Sequence, residues 1–97
     1  MGFRTISAVD HGAAKIGLHG AFNLFSGAQF LKCSEDLLTT PNIHELEIDM
    51  HGVEQIDDAA LDALLILREK AASLHRHIIL SGCRKPIRKF LEAANLQ

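Results

Sequence analysis

Ile48-Asp49-Met50-His51-Gly52-Val53-Glu54-Gln55-Ile56-Asp57-Asp58-Ala59-Ala60-Leu61 is the stretch on which the fold turns. Where it begins, apolar Leu46, Ile48 and Met50 alternate with acidic Glu45, Glu47 and Asp49. Side chains of a strand point to opposite faces in turn, so the spacing predicts a strand over His44–Met50 with one buried face. A loop carrying Gly52-Val53 follows. Asp57 then stands as the N-cap of a helix, Asp58 as its first residue and Leu61 as its fourth. Ile56, just outside, is placed to pack on Leu61 as a hydrophobic staple. Both carboxylates suit the positive end of the helix dipole, each contributing about 0.3–1 kcal/mol when exposed. The helix is expected to reach about Leu74. Its segment Ala63-Leu64-Leu65-Ile66-Leu67 is apolar almost all round, which predicts burial on more than one side. Ile48, Leu61, Leu64, Leu65 and Ile78 are expected in the core.

Upstream, Thr39-Thr40-Pro41-Asn42 is a breaker. Before it, Phe30, Leu31, Cys33, Leu37 and Leu38 roughly follow helical spacing, with Ser26 as the expected cap. Earlier still, Thr5–Asp10 and Ala14–His19 read as strands around a His11-Gly12 turn, giving a hairpin. Downstream, His77–Leu80 is a short apolar strand ended by Ser81-Gly82. Lys85–Asn95 is a closing helix with Pro86 tolerated in its first turn, and Ile87, Phe90, Leu91 and Ala94 share one face. The order is ββαβαβα. Helical crossovers make the last three strands parallel, with right-handed connections. The expected fold is α/β: a mixed sheet of about four strands with helices packed on it.

The chain has 97 residues, one domain's worth over 1–97, and enough to bury a modest core unaided. Trp and Tyr are absent, so five Phe supply all aromatic packing. The net charge of −2 argues against nucleic-acid binding. Residues 1–67 hold three basic residues (Arg4, Lys15, Lys32) and ten acidic ones, whereas residues 68–97 hold seven basic and two acidic. Solvated helix faces account for such blocks. Cys33 and Cys83 form no CxxC pattern, no apolar run reaches ~18 residues, and nothing resembles a signal peptide. Ile6 stands where a myristoylation signal needs Ser or Thr. A cytoplasmic protein with reduced thiols and no membrane insertion is expected.

Glu47–Leu96 resembles a STAS domain, the fold of the anti-sigma factor antagonists. That family's signature is a strand ending in Asp, a loop with Gly-Val, and an apolar residue before Asp-Ser-Ser-Gly-Leu at a helix start. Here it reads Asp49, Gly52-Val53, Ile56 and Asp57-Asp58-Ala59-Ala60-Leu61. Leu64–Leu67, Ile78–Gly82 and Ile87–Leu96 match the Leu-rich helix, the short strand and the closing helix. Leu18-His19-Gly20 matches the earlier strand end, with Asn23 where the family often has Asp. The resemblance implies a STAS fold and a non-catalytic regulator that binds an anti-sigma factor or related serine kinase. Its docking surface would be Gly52, Val53, Asp57, Asp58, Ala59, Ala60 and Leu61. It also admits a second partner, the ATPase of a lipid-transport ABC complex whose cytoplasmic STAS subunit this chain would be.

The motif departs from the family at the phosphoacceptor. Asp58 replaces the acceptor Ser, Ala59 the second Ser and Ala60 the Gly, while Asp57 is kept. Asp58 has two readings: a carboxylate that favours the helix dipole, or a partial mimic of phosphoserine, which carries about −1.5 to −2 charge. Other candidates are weaker. His75 and His77 would share a face on a strand, but they lack the further ligands that zinc needs. The remaining histidines, His11, His19, His44 and His51, are scattered along the chain. Arg84 and Lys85 would favour a Cys83 thiolate, yet no base and acid accompany it. Asp57 and Asp58 point in different directions and lack the pocket that acid–base catalysis needs. No metal, cofactor or catalytic activity is expected.

Overall fold

The computed structural model describes residues 4–10 and 12–94, with side chains from residue 12 onward. In chain order the elements are β1 (Arg4–Asp10), β2 (Ala13–Phe22), α1 (Leu24–Leu38), β3 (Glu45–Ile56), α2 (Asp58–Ser73), β4 (His77–Ser81) and α3 (Lys85–Ala93). They form one sheet in the order β1-β2-β3-β4. The β1–β2 pair is antiparallel, and β2–β3 and β3–β4 are parallel. This is the expected mixed sheet with ββαβαβα order. Gly12, at φ +83°, takes the left-handed conformation after β1, while His11 lies outside the described residues.

One face of the sheet makes the core. Ala14, Ile16, Leu18 and Phe22 of β2 and Leu46, Ile48, Met50 and Val53 of β3 are all buried. The helices cover this face: α1 lies on β2 and β3, α2 on α1 and β4, and α3 on β3. Phe22 meets Phe30 of α1 edge to face at 5.0 Å, an arrangement that adds about 0.5–1.5 kcal/mol beyond burial. The opposite face is polar where the strands pair: Ser81 Oγ donates to Glu47 Oε2 at 2.7 Å, and Lys15 Nζ lies 3.7 Å from the same oxygen.

Several boundaries differ from the sequence reading, each for a physical reason. β3 does not stop at Met50; it runs on to Ile56, paired with an equally extended β2. The alternation is broken because the register shifts between Gly17 and His19 and again between Gly20 and Ala21. The buried positions of β3 are accordingly 46, 48, 50 and then 53, a step of three that strict alternation cannot show. The cap of helix α1 lies three residues before the expected one. Asn23 is the N-cap, its Oδ1 accepting from Phe25 N at 2.9 Å and Ser26 N at 3.1 Å. Ser26 Oγ accepts from Asn23 N at 2.9 Å, so Ser26 is the reciprocal partner of the cap rather than the cap.

Helix α2 presents Ala60, Leu64, Leu67 and Ala71 to the core, and Ile66 is 49% exposed, so it is buried on one side and flank rather than all round. Leu64 and Ile48 are core residues as expected, whereas Leu61, Leu65 and Ile78 are half-buried. Leu61 and Leu65 flank the buried stripe, and Ile78 lies on a five-residue edge strand. α3 buries Ile87 and Leu91, with Phe90 and Ala94 half-buried; its expected end at Asn95 lies outside the described residues.

Candidate functional site at the joined ends of two strands and two helices

β2 and β3 end side by side, Phe22 opposite Ile56, and each turns directly into a helix. Asp57 ties the two turns together. Its backbone N donates to Phe22 O at 3.2 Å. Its carboxylate accepts from Ala60 N of α2 at 2.9 Å and from Leu24 N of α1 at 3.3 Å. One side chain thus satisfies an otherwise unpaired N–H at the start of each helix. The sequence reading placed Asp57 as a cap of α2 but not of α1.

Gly52 explains itself within the bulged strand. A Cβ there would fall 2.6 Å from Leu18 O and closer still to His19 Nδ1. Only a residue without a side chain lets β2 and β3 approach so closely at this register shift. Of the residues expected to dock a partner, Val53 and Ala60 are fully buried and shape the site from beneath. Gly52, Ala59 and Leu61 are half-buried, and Asp57 and Asp58 are exposed. Asp58 occupies the first turn of α2, with Asp62 one turn further along the same helix face.

Sequence reasoning missed the neighbouring surface. Leu24 and Phe25, in the first turn of α1, are 65% and 87% exposed. Leu24, with Leu31 and Ile66, borders a groove of about 250 Å³ between α1 and α2, floored by Gly27, Ala28, Ala59 and Ala63 and edged by Asp62. A signal was present for Phe25, which is out of phase with Phe30, Ser34 and Leu38, the buried stripe of α1.

The other candidates are not brought together. His75 sits in the turn after α2 at φ +58° and His77 opens β4, so the two do not share a strand face. Among the described residues no three His, Cys, Asp or Glu side chains are grouped to hold a metal ion. Cys83 is buried. Burial pushes its thiol above the ordinary range, outweighing the nearby Arg88 cation that pulls it down, while Asp49 adds to the rise. The thiolate expected from Arg84 and Lys85 is therefore not favoured. Arg84 instead donates from Nε to His51 O at 3.1 Å. No helix among the described residues is long and apolar enough to cross a membrane.

Comparison with known proteins agrees with the fold. The model of the family described as "Mlab, STAS domain" matches residues 7–97. A STAS-domain containing protein of Pseudomonas aeruginosa (strain UCBPP-PA14) is 26% identical over all of this chain and 94% of its own length. Among solved structures, an anti-sigma factor antagonist from Mycobacterium paratuberculosis superposes with TM-score 0.79. It is 17% identical, and the match covers 98% of this chain and 80% of that one. The murine anion transporter Slc26a9 contains the same fold, with TM-score 0.77 and 16% identity over 87% of this chain and 14% of the transporter.

Proposed function

The chain belongs to the STAS domain family, and from that premise we propose that it is a non-catalytic, cytoplasmic regulatory domain that docks on an anti-sigma factor or related serine kinase. The observation that supports this reading most is the construction at Asp57. Two strand ends and two helix starts are locked by one carboxylate, which presents Asp58 outward on a rigid base. A rigid, exposed helix start suits protein recognition, because little ordering entropy is lost on binding. No hydroxyl lies between Asp57 and Leu61. The domain accordingly holds Asp58 where the family's phosphorylated members carry their acceptor Ser, and it binds without a phospho-switch of its own.

The second reading, a subunit that supports the ATPase of a lipid-transport ABC complex, is favoured by one observation: no hydroxyl lies between Asp57 and Leu61. Such a role needs no acceptor hydroxyl.

One experiment separates the two. Wild type and Asp58→Ser are offered to a serine kinase of the anti-sigma factor type, and any phosphate is located by mass spectrometry. Asp58→Ser should fold with a loss of no more than about 1 kcal/mol, since it removes one exposed carboxylate from the positive end of α2. Phosphate on the variant alone, at the introduced serine, supports the regulatory reading. Phosphate on wild type at Ser26, Ser34 or Ser81 contradicts the loss of the switch. Phosphate on neither favours the transport subunit.

A further inference from the structure

The groove between α1 and α2 has a distinct chemistry. Its floor is made of the small residues Gly27, Ala28, Ala59 and Ala63, so a partner's backbone or a large side chain can approach closely. Leu24 and Ile66 line it and are exposed, and Phe25, next to Leu24 in the first turn of α1, is exposed as well, apolar surface that the fold itself does not cover. At one end Lys70 Nζ pairs with Glu35 Oε2 at 2.9 Å, bridging the two helices and neutralising both charges. Toward the start of α2, Asp62 lines the groove, and Asp57 and Asp58, which precede the groove residue Ala59, are exposed. The two helix N-termini contribute roughly +0.5 charge each, less than these three carboxylates together. Among the described residues no cationic side chain lines the groove.

We propose that this groove receives an amphipathic helix of a protein partner, its apolar stripe set against Leu24, Leu31 and Ile66 and its arginine or lysine residues set against Asp62 and the neighbouring Asp58. The inference rests on the docking reading above and adds the chemistry of the partner. A helix laid in a groove uses apolar side chains at helical spacing for affinity, and complementary charge for register and partner choice. A second copy of this chain brings three carboxylates of its own, so a two-fold pairing on this face would have to keep the two sets apart. An anionic lipid surface is repelled by the same carboxylates.

The test uses two synthetic helical peptides with one shared leucine stripe, flanked by arginines in the first and by glutamates in the second. Each is titrated into the isotopically labelled full chain while the amide resonances are followed. The arginine peptide should shift amides of residues 24–31 and 58–66. It should bind about tenfold more tightly than the glutamate peptide, since two exposed ion pairs replace two like-charge contacts. The double variant Asp58→Arg/Asp62→Arg should reverse that preference, and Ala28→Trp, at an exposed position, should block both peptides by filling the groove. Equal binding of the two peptides, an unreversed preference, or shifts confined to α3 or the open sheet face overturns the inference. So does concentration-dependent dimerisation that Ala28→Trp abolishes, because the occupant is then a second copy. Failure here with phosphorylation of Asp58→Ser intact leaves the docking reading standing; failure of both removes it.

Discussion

Gly52 and Asp57 carry the site for opposite reasons, one by having no side chain and the other by using both oxygens of its own. At Gly52 a methyl group would meet backbone at Leu18 O, 2.6 Å away, as well as the His19 ring. A backbone carbonyl cannot swing aside as the end of a long side chain can. Gly52→Ala should therefore cost about 1–3 kcal/mol, the usual cost of overpacking, measured as a fall in the denaturation midpoint. An unchanged midpoint would show that the two strands do not approach as closely as described. Asp57 was legible as a helix cap from its place before an apolar run. Its bond to Leu24 N, 33 residues away in sequence, was not, because no local pattern records which turns become neighbours.

At the scale of elements, the alternating run into β3 and the cap of α2 were readable because both depend on neighbours in sequence. The second half of β3 was not, since the register shifts move buried positions from a step of two to a step of three. The start of α1 was misplaced because Asn23 and Ser26 form a reciprocal cap, and only one of them stood next to the visible periodicity. Leu64 was assigned correctly, being 2% exposed at the centre of the buried stripe of α2. Leu64→Ala should cost about 2–5 kcal/mol. Ile66→Ala, on the exposed flank of the same helix, should cost far less, and chemical denaturation of the two variants side by side is the check. Equal losses would mean that α2 is seated with another face toward the sheet.

Over the whole molecule, the uneven charge seen along the sequence becomes a difference between places. Acidic Asp57, Asp58 and Asp62 gather where α1 and α2 begin, while Arg84, Lys85, Arg88 and Lys89 are exposed around α3. The family resemblance pointed to the first of these regions, and the structure adds the bare apolar residues Leu24, Phe25 and Ile66 beside it. That addition was out of reach of the sequence because the groove is formed by two helices that meet only in the folded chain. The central claim is that a protein partner docks where β3 runs into α2. Hydrogen exchange measured by mass spectrometry tests it most directly, comparing the free domain with its complex after the partner has been purified with it from the source cells. Slowed exchange is expected over residues 52–66 and 24–31. Slowed exchange confined to α3 or to the open face of the sheet, with residues 52–61 unchanged, would contradict it.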